Sequence, residues 1–395
     1  MKSIKARLEL NNKQATLASK HAGVARYAFN WGKAVCDEAI ANKTGKPSAI
    51  DLHKKFVAEE KSTKEWLYEV SKCAPQQALR NLDEAYKRIF KVKGTKFPKF
   101  KKKGQHDSFY LEGAIKTIDN RIKVPKFGWL KSSESLPDCE IKNVVISKTA
   151  GQWFIAFKMP FEPTRHTHTE ITGVDLGIKT LATLSSGEVF DAIKPYKKNK
   201  RKLKTLQRSV SRKQKGSKNR AEANQKVAKL HYRIACIRKD ATHKLTTYLA
   251  KNHGEIVIED LNVSGMSKNH KLASAILDGG FHEFRRQLEY KCEWYGAKLT
   301  IVDRFYPSSK TCSDCGYIKR DLKLSDRMYV CPDCGLIIDR DLNAAINLMK
   351  MAGSYPVSAC GEPNQLITSV IGGSMKQEVN NIPKPLKVQE CVSFA

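Results

Sequence analysis

Three acidic residues, far apart along the chain, lie where their carboxylates could share metal ions. Asp175 and Glu259 each end an apolar run rich in β-branched residues, and Asp341 opens a helical pattern. A sheet edge and a helix N-terminus can bring such residues to a shared pair of Mg²⁺ ions, which activates water and stabilises the leaving oxygen in phosphodiester hydrolysis. Gly173 and Gly177 flank the first acid and are expected to let a phosphate approach the strand end. The pattern predicts metal-dependent phosphodiester chemistry.

Either of two residues could be the third metal ligand. Asp339 and Asp341 are two positions apart, and one of them can serve as the cap of the last helix. We favour Asp341. Asp260 directly follows Glu259 and would point to the opposite face of the strand, so we exclude it as a ligand.

Four cysteines form two Cys-x-x-Cys pairs with 15 residues between them: Cys312, Cys315, Cys331 and Cys334. This spacing predicts one structural Zn²⁺ ion held by four thiolates, with no coordination position left for catalysis. The zinc ribbon would interrupt the fold between its last strand and its last helix, and so stiffen the segment that presents Asp341. Loss of Zn²⁺ should therefore reduce activity indirectly.

The composition indicates an anionic partner. The chain has 395 residues, 71 of them basic and 40 acidic, which gives a net charge of +31. Such an excess favours a polyphosphate, and a ribosomal or histone-like protein would share it. However, 41% hydrophobic residues at this length are enough for two to four domains with a sizeable core. No signal peptide or membrane-length apolar run occurs. Because seven of the eleven cysteines are scattered, we expect a reducing, cytoplasmic location and no disulfide framework.

Two basic tracts are candidates for nucleic-acid contacts. Residues 87–103 hold nine basic residues and no acid, interleaved with Phe90, Phe97 and Phe100. Residues 197–220 hold twelve basic residues and no acid. A solvated helix face usually mixes charge signs, so we expect these tracts to follow a sugar-phosphate backbone or a single strand.

The N-terminal half is expected to combine a small β-barrel with a helical insert. A strand pattern covers residues 1–10, helical periodicity covers about 12–92 with one element through Trp66, Leu67 and Val70, and strands return over about 108–162. Two of these strands flank a turn at Ala150-Gly151. The polar segment 162–169 is interpreted as a solvated linker, in preference to a metal site at His166 and His168.

The C-terminal half has the order of elements of an RNase H-like nuclease. Strands at 171–175, 180–185 and 188–191 precede a long helical region over about 200–252. A strand at 255–259, a helix at 281–295, a strand at 297–303 and a last helix from about 341 follow. The three acids fall on the first strand, the fourth strand and the last helix.

The chain resembles the TnpB family, the OrfB-type proteins of insertion sequences, which are related to compact type V CRISPR effectors. The resemblance covers roughly residues 1–350. It rests on the segments Gln77-Ala-Leu-Arg-Asn-Leu-Asp83, Phe97-Pro-Lys-Phe-Lys-Lys-Lys103, Gly173-Val-Asp-Leu-Gly177, Ile258-Glu-Asp-Leu-Asn-Val-Ser-Gly-Met266, Tyr306-Pro-Ser-Ser-Lys-Thr-Cys-Ser-Asp-Cys-Gly316 and Cys334-Gly-Leu-Ile-Ile-Asp-Arg-Asp-Leu-Asn-Ala-Ala345.

The resemblance implies a nuclease that binds a transposon-encoded guide RNA (ωRNA) and double-stranded target DNA. Such a protein checks a short adjacent motif and cuts both strands at one RuvC-like site. Asp175, Glu259 and Asp341 are implied as the Mg²⁺ ligands. A nuclease-inactive RNA-guided repressor and a transposase acting on donor DNA are the alternatives. The oligomeric state stays open, with a monomer favoured.

The implied fold is multidomain α+β. A wedge-like β-barrel would cover residues 1–11 and 104–165, with a helical recognition insert at 12–103. A RuvC-like α/β nuclease domain would cover 170–304 and 339–352, interrupted by a zinc ribbon at 305–338. The remaining segment, 353–395, is rich in Gly, Ser, Pro and Asn and is predicted to be a disordered tail.

Overall fold

A six-stranded barrel forms from the alternating apolar segments of the N-terminal half. The structure, a computed structural model, describes residues 1–323 and 325–352. The barrel strands are neighbours in the order β1-β4-β3-β2-β5-β6 and close on themselves. Ala150 and Gly151, both with positive φ (50° and 81°), make the tight turn that joins β5 to β6. The strands are β1 (Lys2–Glu9), β2 (Ser108–Ile118), β3 (Arg121–Val124), β4 (Gly128–Ser132), β5 (Ile141–Thr149) and β6 (Gln152–Met159).

Helices α1 (Asn12–Ala41), α2 (Ala49–Lys55) and α3 (Cys73–Lys91) are inserted between β1 and β2 and share a hydrophobic core with the barrel. The predicted helix through Trp66, Leu67 and Val70 is wrong. A π-helical turn extends α2. This turn ends before Ser62, whose hydroxyl donates to the carbonyl oxygen of Ala58. A short 3₁₀ segment, Glu65–Glu69, comes next in the chain, and Val70 is in extended conformation.

A five-stranded sheet organises the C-terminal half, with the strand order β11-β10-β7-β8-β9. Strand β10 is parallel to both β7 and β11, whereas β8 is antiparallel to its two neighbours, β7 and β9. The strands are β7 (Ile171–Leu176), β8 (Thr180–Leu184), β9 (Val189–Asp191), β10 (Glu255–Glu259) and β11 (Lys298–Val302). Three strands, a helical region, a strand, a helix, a strand and a last helix follow one another in the predicted order.

Helices cover both faces of this sheet. Helices α5 (Lys218–Asn252) and α8 (Phe281–Tyr295) bury apolar side chains against one face, and α9 (Arg340–Lys350) packs on the other. The predicted helical region over about 200–252 consists of two helices, because residues 212–217 separate α4 (Pro195–Ser211) from α5, and Gly216 has a φ of +88° there. The two helices pack through Leu203, Leu230 and Ile234. Two short helices were not predicted, α6 (Val263–Met266) and α7 (Ala273–Gly279).

A small hairpin, β12 (Met328–Val330) and β13 (Ile337–Asp339), lies in the chain between β11 and α9. The segment 162–169 has no regular structure, but it is not merely solvated: the backbone N–H of His166 donates to the carbonyl oxygen of Tyr295 at 2.8 Å. In the described part of the chain no helix combines the length and the apolar character needed to cross a membrane. The predicted disordered tail, 353–395, lies outside the described residues.

Candidate active site and cysteine cluster

Asp175 and Glu259 lie side by side at one edge of the five-stranded sheet. Strands β7 and β10 are parallel neighbours, and Val174 is paired with Ile258. The next residue on each strand is an acid, so both acids occupy the carboxyl ends of adjacent strands, whose backbones are about 4.8 Å apart. The residues that directly precede the two acids are apolar and buried: Val174 on β7, and Ile256, Val257 and Ile258 on β10.

Asp341 reaches the same edge because α9 packs closely on β7. A Cβ on Gly173 would overlap the carbonyl oxygen of Ala345 and lie 2.5 Å from the backbone nitrogen of Met349. Asp341 precedes Ala345 by one helical turn and shares its face of α9. Asp175 is two residues beyond Gly173 along β7, so the helix carries its acid toward the strand's acid.

The expectation that Gly173 admits a phosphate is therefore wrong. The space beside Gly173 is filled by the backbone of α9. Gly177 is also enclosed by protein, because a Cβ there would lie 2.9 Å from the carbonyl oxygen of Thr180. Both glycines permit close packing within the domain.

Like charges meet at this edge. The pKa of Asp175 is raised to about 7, first by burial, then by the negative charges of Asp341 and Glu259, while Arg340 opposes the shift. The pKa of Glu259 is also raised, by burial and by the charge of Asp260. Carboxylates that disfavour each other's ionisation are suited to sharing a divalent cation, whose charge would offset the repulsion.

The two neighbouring acids have structural partners. The Asp339 carboxylate caps α9, since its Oδ1 accepts hydrogen bonds from the backbone N–H groups of Asp341 at 2.9 Å and Leu342 at 3.1 Å. Asp260 forms ion pairs with Arg285, at 2.6 Å, and with Arg304. Asp260 thus fixes surrounding elements, and Asp339 orients the helix that carries Asp341.

The four cysteines of the two Cys-x-x-Cys pairs form a preformed metal-binding group. Their sulfur atoms all lie within 4.8 Å of one another, and this is the only such cluster of His, Cys, Asp and Glu in the described ranges. The Sγ atoms of Cys312 and Cys334 are 3.6 Å apart, and those of Cys315 and Cys331 are 3.5 Å apart. Tetrahedral Zn–S bonds of about 2.3 Å place sulfurs roughly 3.8 Å apart, so the group fits zinc.

The backbone repeats the same turn at both pairs. The N–H of Gly316 donates to the carbonyl oxygen of Cys312 at 3.1 Å, and the N–H of Gly335 donates to that of Cys331 at 3.2 Å. Both glycines have positive φ, +81° and +76°. This left-handed conformation, which strongly favours glycine, lets each chain segment turn back after its second cysteine.

Two buried asparagines join the cysteine cluster to α9, and neither was predicted from the sequence. Asn343 accepts from the N–H of Ser313 at 2.9 Å and donates to the carbonyl oxygen of Thr311 at 2.7 Å. Asn347 donates to the carbonyl oxygens of Ser308 and Thr311 at 2.8 and 2.6 Å. Two amides four residues apart inside an apolar helix were the available signal.

Comparison with known proteins gives matches over nearly the whole chain. A protein of Streptomyces pristinaespiralis named RNA-guided DNA endonuclease is 36% identical over 95% of this chain and 96% of its own. The Escherichia coli protein named RNA-guided DNA endonuclease InsQ is also 36% identical, over 96% of this chain and 97% of its own. The chain belongs to the TnpB family.

The family models match separate parts of this TnpB chain, and two of them contain the candidate site residues. The model described as probable transposase, OrfB_IS605, spans residues 154–270 and includes Asp175 and Glu259. The Cas12f1-like TNB domain spans 281–348 and includes the cysteine cluster and Asp341. A helix-turn-helix model matches 1–46, where this TnpB protein has β1 and α1. The CRISPR-associated endodeoxyribonuclease Cas12f1 of Sulfoacidibacillus thermotolerans is 24% identical over 60% of this chain and 57% of its own.

Proposed function

We propose that this TnpB-family protein is an RNA-guided DNA endonuclease of an insertion sequence that hydrolyses phosphodiester bonds at a RuvC-like site. Asp175, Glu259 and Asp341 are its metal ligands. The proposal rests on the electrostatic effect on the buried Asp175 of Glu259, at the end of the neighbouring parallel strand, and of Asp341, at a helix start. The three carboxylates are not all within 4.8 Å of one another. The pKa of Asp175, raised to about 7 by burial and by the charges of Asp341 and Glu259, supports a role in binding cations.

The three carboxylates would hold two Mg²⁺ ions, which supply an activated water and stabilise the leaving oxygen when bound. The chain positions these ligands rigidly. Register with Ile258 fixes Asp175 beside Glu259, and the Asp339 cap together with the close packing of α9 on Gly173 fixes Asp341. Arg340 lies beside the three carboxylates and opposes the rise in the pKa of Asp175. The hydrogen bonds that Asp339 accepts hold its carboxylate at the start of α9.

The cysteine cluster would hold one structural Zn²⁺ ion. All four sulfurs face one another and leave no coordination position for a substrate. Hydrogen bonds of Asn343 and Asn347 attach the helix that carries Asp341 to the segment that contains the cluster. Zinc binding would thereby help to position a catalytic ligand.

The guide RNA and the target DNA would contact the two basic tracts. In α4 most basic side chains are exposed, whereas its apolar face packs on α5. In the tract 87–103 the side chain of Phe90 is exposed to solvent. The same tract contacts α1, where Lys33 lies 4.6 Å from the ring centroid of Phe100. In this scheme base pairing with the guide reads the target sequence, while the protein contacts the backbone and a short adjacent motif. The barrel and the helical insert would form the wedge and recognition parts.

The test begins with the RNA that co-purifies with the protein. Sequencing it should give one RNA species of uniform length, and a DNA duplex that matches its variable end is then the substrate. The wild type should cut both strands when Mg²⁺ is present. Asp175→Asn, Glu259→Gln and Asp341→Asn should each reduce the rate at least about 100-fold, because removing a metal ligand removes charge stabilisation of the transition state.

Asp240→Asn is the matched control, since Asp240 is an exposed acid of α5 whose ion pair within the described part of the chain is with Lys244. It should cut at the wild-type rate. Undiminished cutting by Asp175→Asn would contradict the assignment of the site. Guided binding without cutting by the wild type would favour the repressor, and joined donor DNA formed without RNA would favour the transposase.

A further inference from the structure

Phe305 is an exposed aromatic residue at the end of the strand that neighbours Glu259. Its side chain is 86% exposed, and among the described residues only Phe90, at 85%, is an aromatic residue of comparable exposure. Strand β11 ends at Val302, which is in register with Glu259 on β10. Because Phe305 follows by three residues, its Cα lies within roughly 16 Å of that of Glu259.

The turn that carries Phe305 is fixed on its N-terminal side. The Asp303 carboxylate accepts a hydrogen bond from the N–H of Phe305 at 2.8 Å, and the carbonyl oxygen of Asp303 accepts one from Tyr306 at 3.0 Å. Arg304 forms an ion pair with Asp260, the residue after Glu259. The turn is thereby attached to the same sheet edge as the carboxylates.

The turn is also fixed on its C-terminal side. Tyr306 packs against Val257 and Leu348, which belong to β10 and α9. The carbonyl oxygen of Ser308 accepts a hydrogen bond from Asn347 at 2.8 Å. With both neighbours anchored, the turn cannot easily rotate to bury Phe305, so the ring is held in solvent at a free-energy cost.

We propose that Phe305 is a stacking platform for one base of the single DNA strand that enters the carboxylate edge, and that it sets which phosphodiester lies over Asp175 and Glu259. This inference rests on the proposed function. An aromatic ring held rigidly in solvent offers a face on which any base can stack. The adjacent cation of Arg304 and the net charge of +31 favour an anionic strand over an apolar protein segment as the occupant.

The variants that test the inference are Phe305→Ala, Phe305→Leu and Phe305→Trp, with Leu277→Ala, which truncates an exposed apolar side chain of α7, as the control. Each is assayed as the full chain with its co-purified RNA on the matched duplex, and the cut positions are sequenced. Phe305→Ala should raise KM about tenfold, as for the loss of one stacked base, and spread the cuts over neighbouring phosphodiesters. Phe305→Trp should behave as wild type, and Phe305→Leu should resemble Phe305→Ala because it restores apolar bulk without a ring.

Two results would overturn the inference: an unchanged KM with one cut position in Phe305→Ala, or full recovery in Phe305→Leu. Leu277→Ala should leave the cut position unchanged, and an equal shift in that control would also count against a specific platform. If the wild type does not cut, the proposed function fails by itself. Binding of a short fluorescent oligothymidylate in Mg²⁺-free buffer then tests Phe305 separately, with about a tenfold weaker affinity expected for Phe305→Ala.

Discussion

The side-chain oxygen of Asn343 accepts a hydrogen bond from the backbone N–H of Ser313 at 2.9 Å. Ser313 follows Cys312 of the cysteine cluster, and Asn343 lies two residues after Asp341. Both partners are buried. The side chain of Asn343 thus joins the cysteine cluster to the helix of Asp341, although Ser313 and Asn343 are 30 positions apart in the sequence.

Asn343→Ala is expected to lower the free energy of unfolding by about 2 kcal/mol, because the N–H of Ser313 stays buried without its partner. Cutting should fall further than stability explains, since α9 and Asp341 lose one of their attachments to the cluster. Thermal unfolding and the cutting rate of the RNA complex measure the two effects. Asn252→Ala is the control, because Asn252 is exposed and its side chain donates, within the described part of the chain, only to the carbonyl oxygen of Tyr248 in its own helix. Equal loss in both variants would contradict the attachment.

Removal of zinc should reduce cutting at least about tenfold while guide RNA stays bound, because the metal stabilises the cluster that grips α9 and the basic tracts lie elsewhere. Cys331→Ser should have the same effect and should lower the zinc content below one ion per chain by elemental analysis. Cys236→Ser replaces an exposed free thiol outside the cluster and should retain both zinc and activity. A zinc-free protein that cuts at the full rate would remove the link between the two sites.

The positions of Asp175 and Glu259 could be predicted because each ends a buried strand, and the apolar run itself identifies the strand end. The third acid could not be fixed from the residues alone. Asp339 and Asp341 are both compatible with a helix start, and only the two hydrogen bonds from Asp341 and Leu342 reveal which acid is the cap. Local pattern identifies elements, whereas side-chain orientation at an element boundary depends on hydrogen bonds that the pattern does not contain.

Contacts between distant segments were the main source of error. Gly173 suggested a phosphate because the sequence gives no sign that the backbone of Ala345 occupies the same space. Leu67 and Val70 have helical spacing and are both buried. However, Leu67 lies in a 3₁₀ turn, and the backbone of Val70 is extended. In both cases tertiary packing decided the outcome over local periodicity.

Gly173→Ala tests this packing directly. The added Cβ would overlap the carbonyl oxygen of Ala345, which cannot move without shifting α9. We expect a loss of more than about 2 kcal/mol in the free energy of unfolding, together with loss of cutting. Gly23→Ala is the control, because Gly23 lies within α1 with only the guanidinium of Arg26 near, at 3.9 Å. It should be neutral or stabilising by up to about 1 kcal/mol, as measured by denaturant unfolding. A Gly173→Ala protein as stable as wild type would show that α9 is not packed on β7 as described.

The exposed cations of α4 give a prediction about salt. Lys200, Arg201 and Lys204 project from a helix whose Leu203 is buried against α5, so replacing all three with Gln should leave the fold intact. The plot of log affinity against log salt has a negative slope, and each phosphate contact that is lost makes this slope less steep by about 0.7 to 0.9. The triple variant should therefore bind the guide RNA more weakly, with a slope reduced by about 2, as measured by filter binding across a salt series. Lys244→Gln, which removes a cation already paired with Asp240 at 2.8 Å, should leave the slope unchanged. An unchanged slope in the triple variant would mean that this face of α4 does not follow a sugar-phosphate backbone.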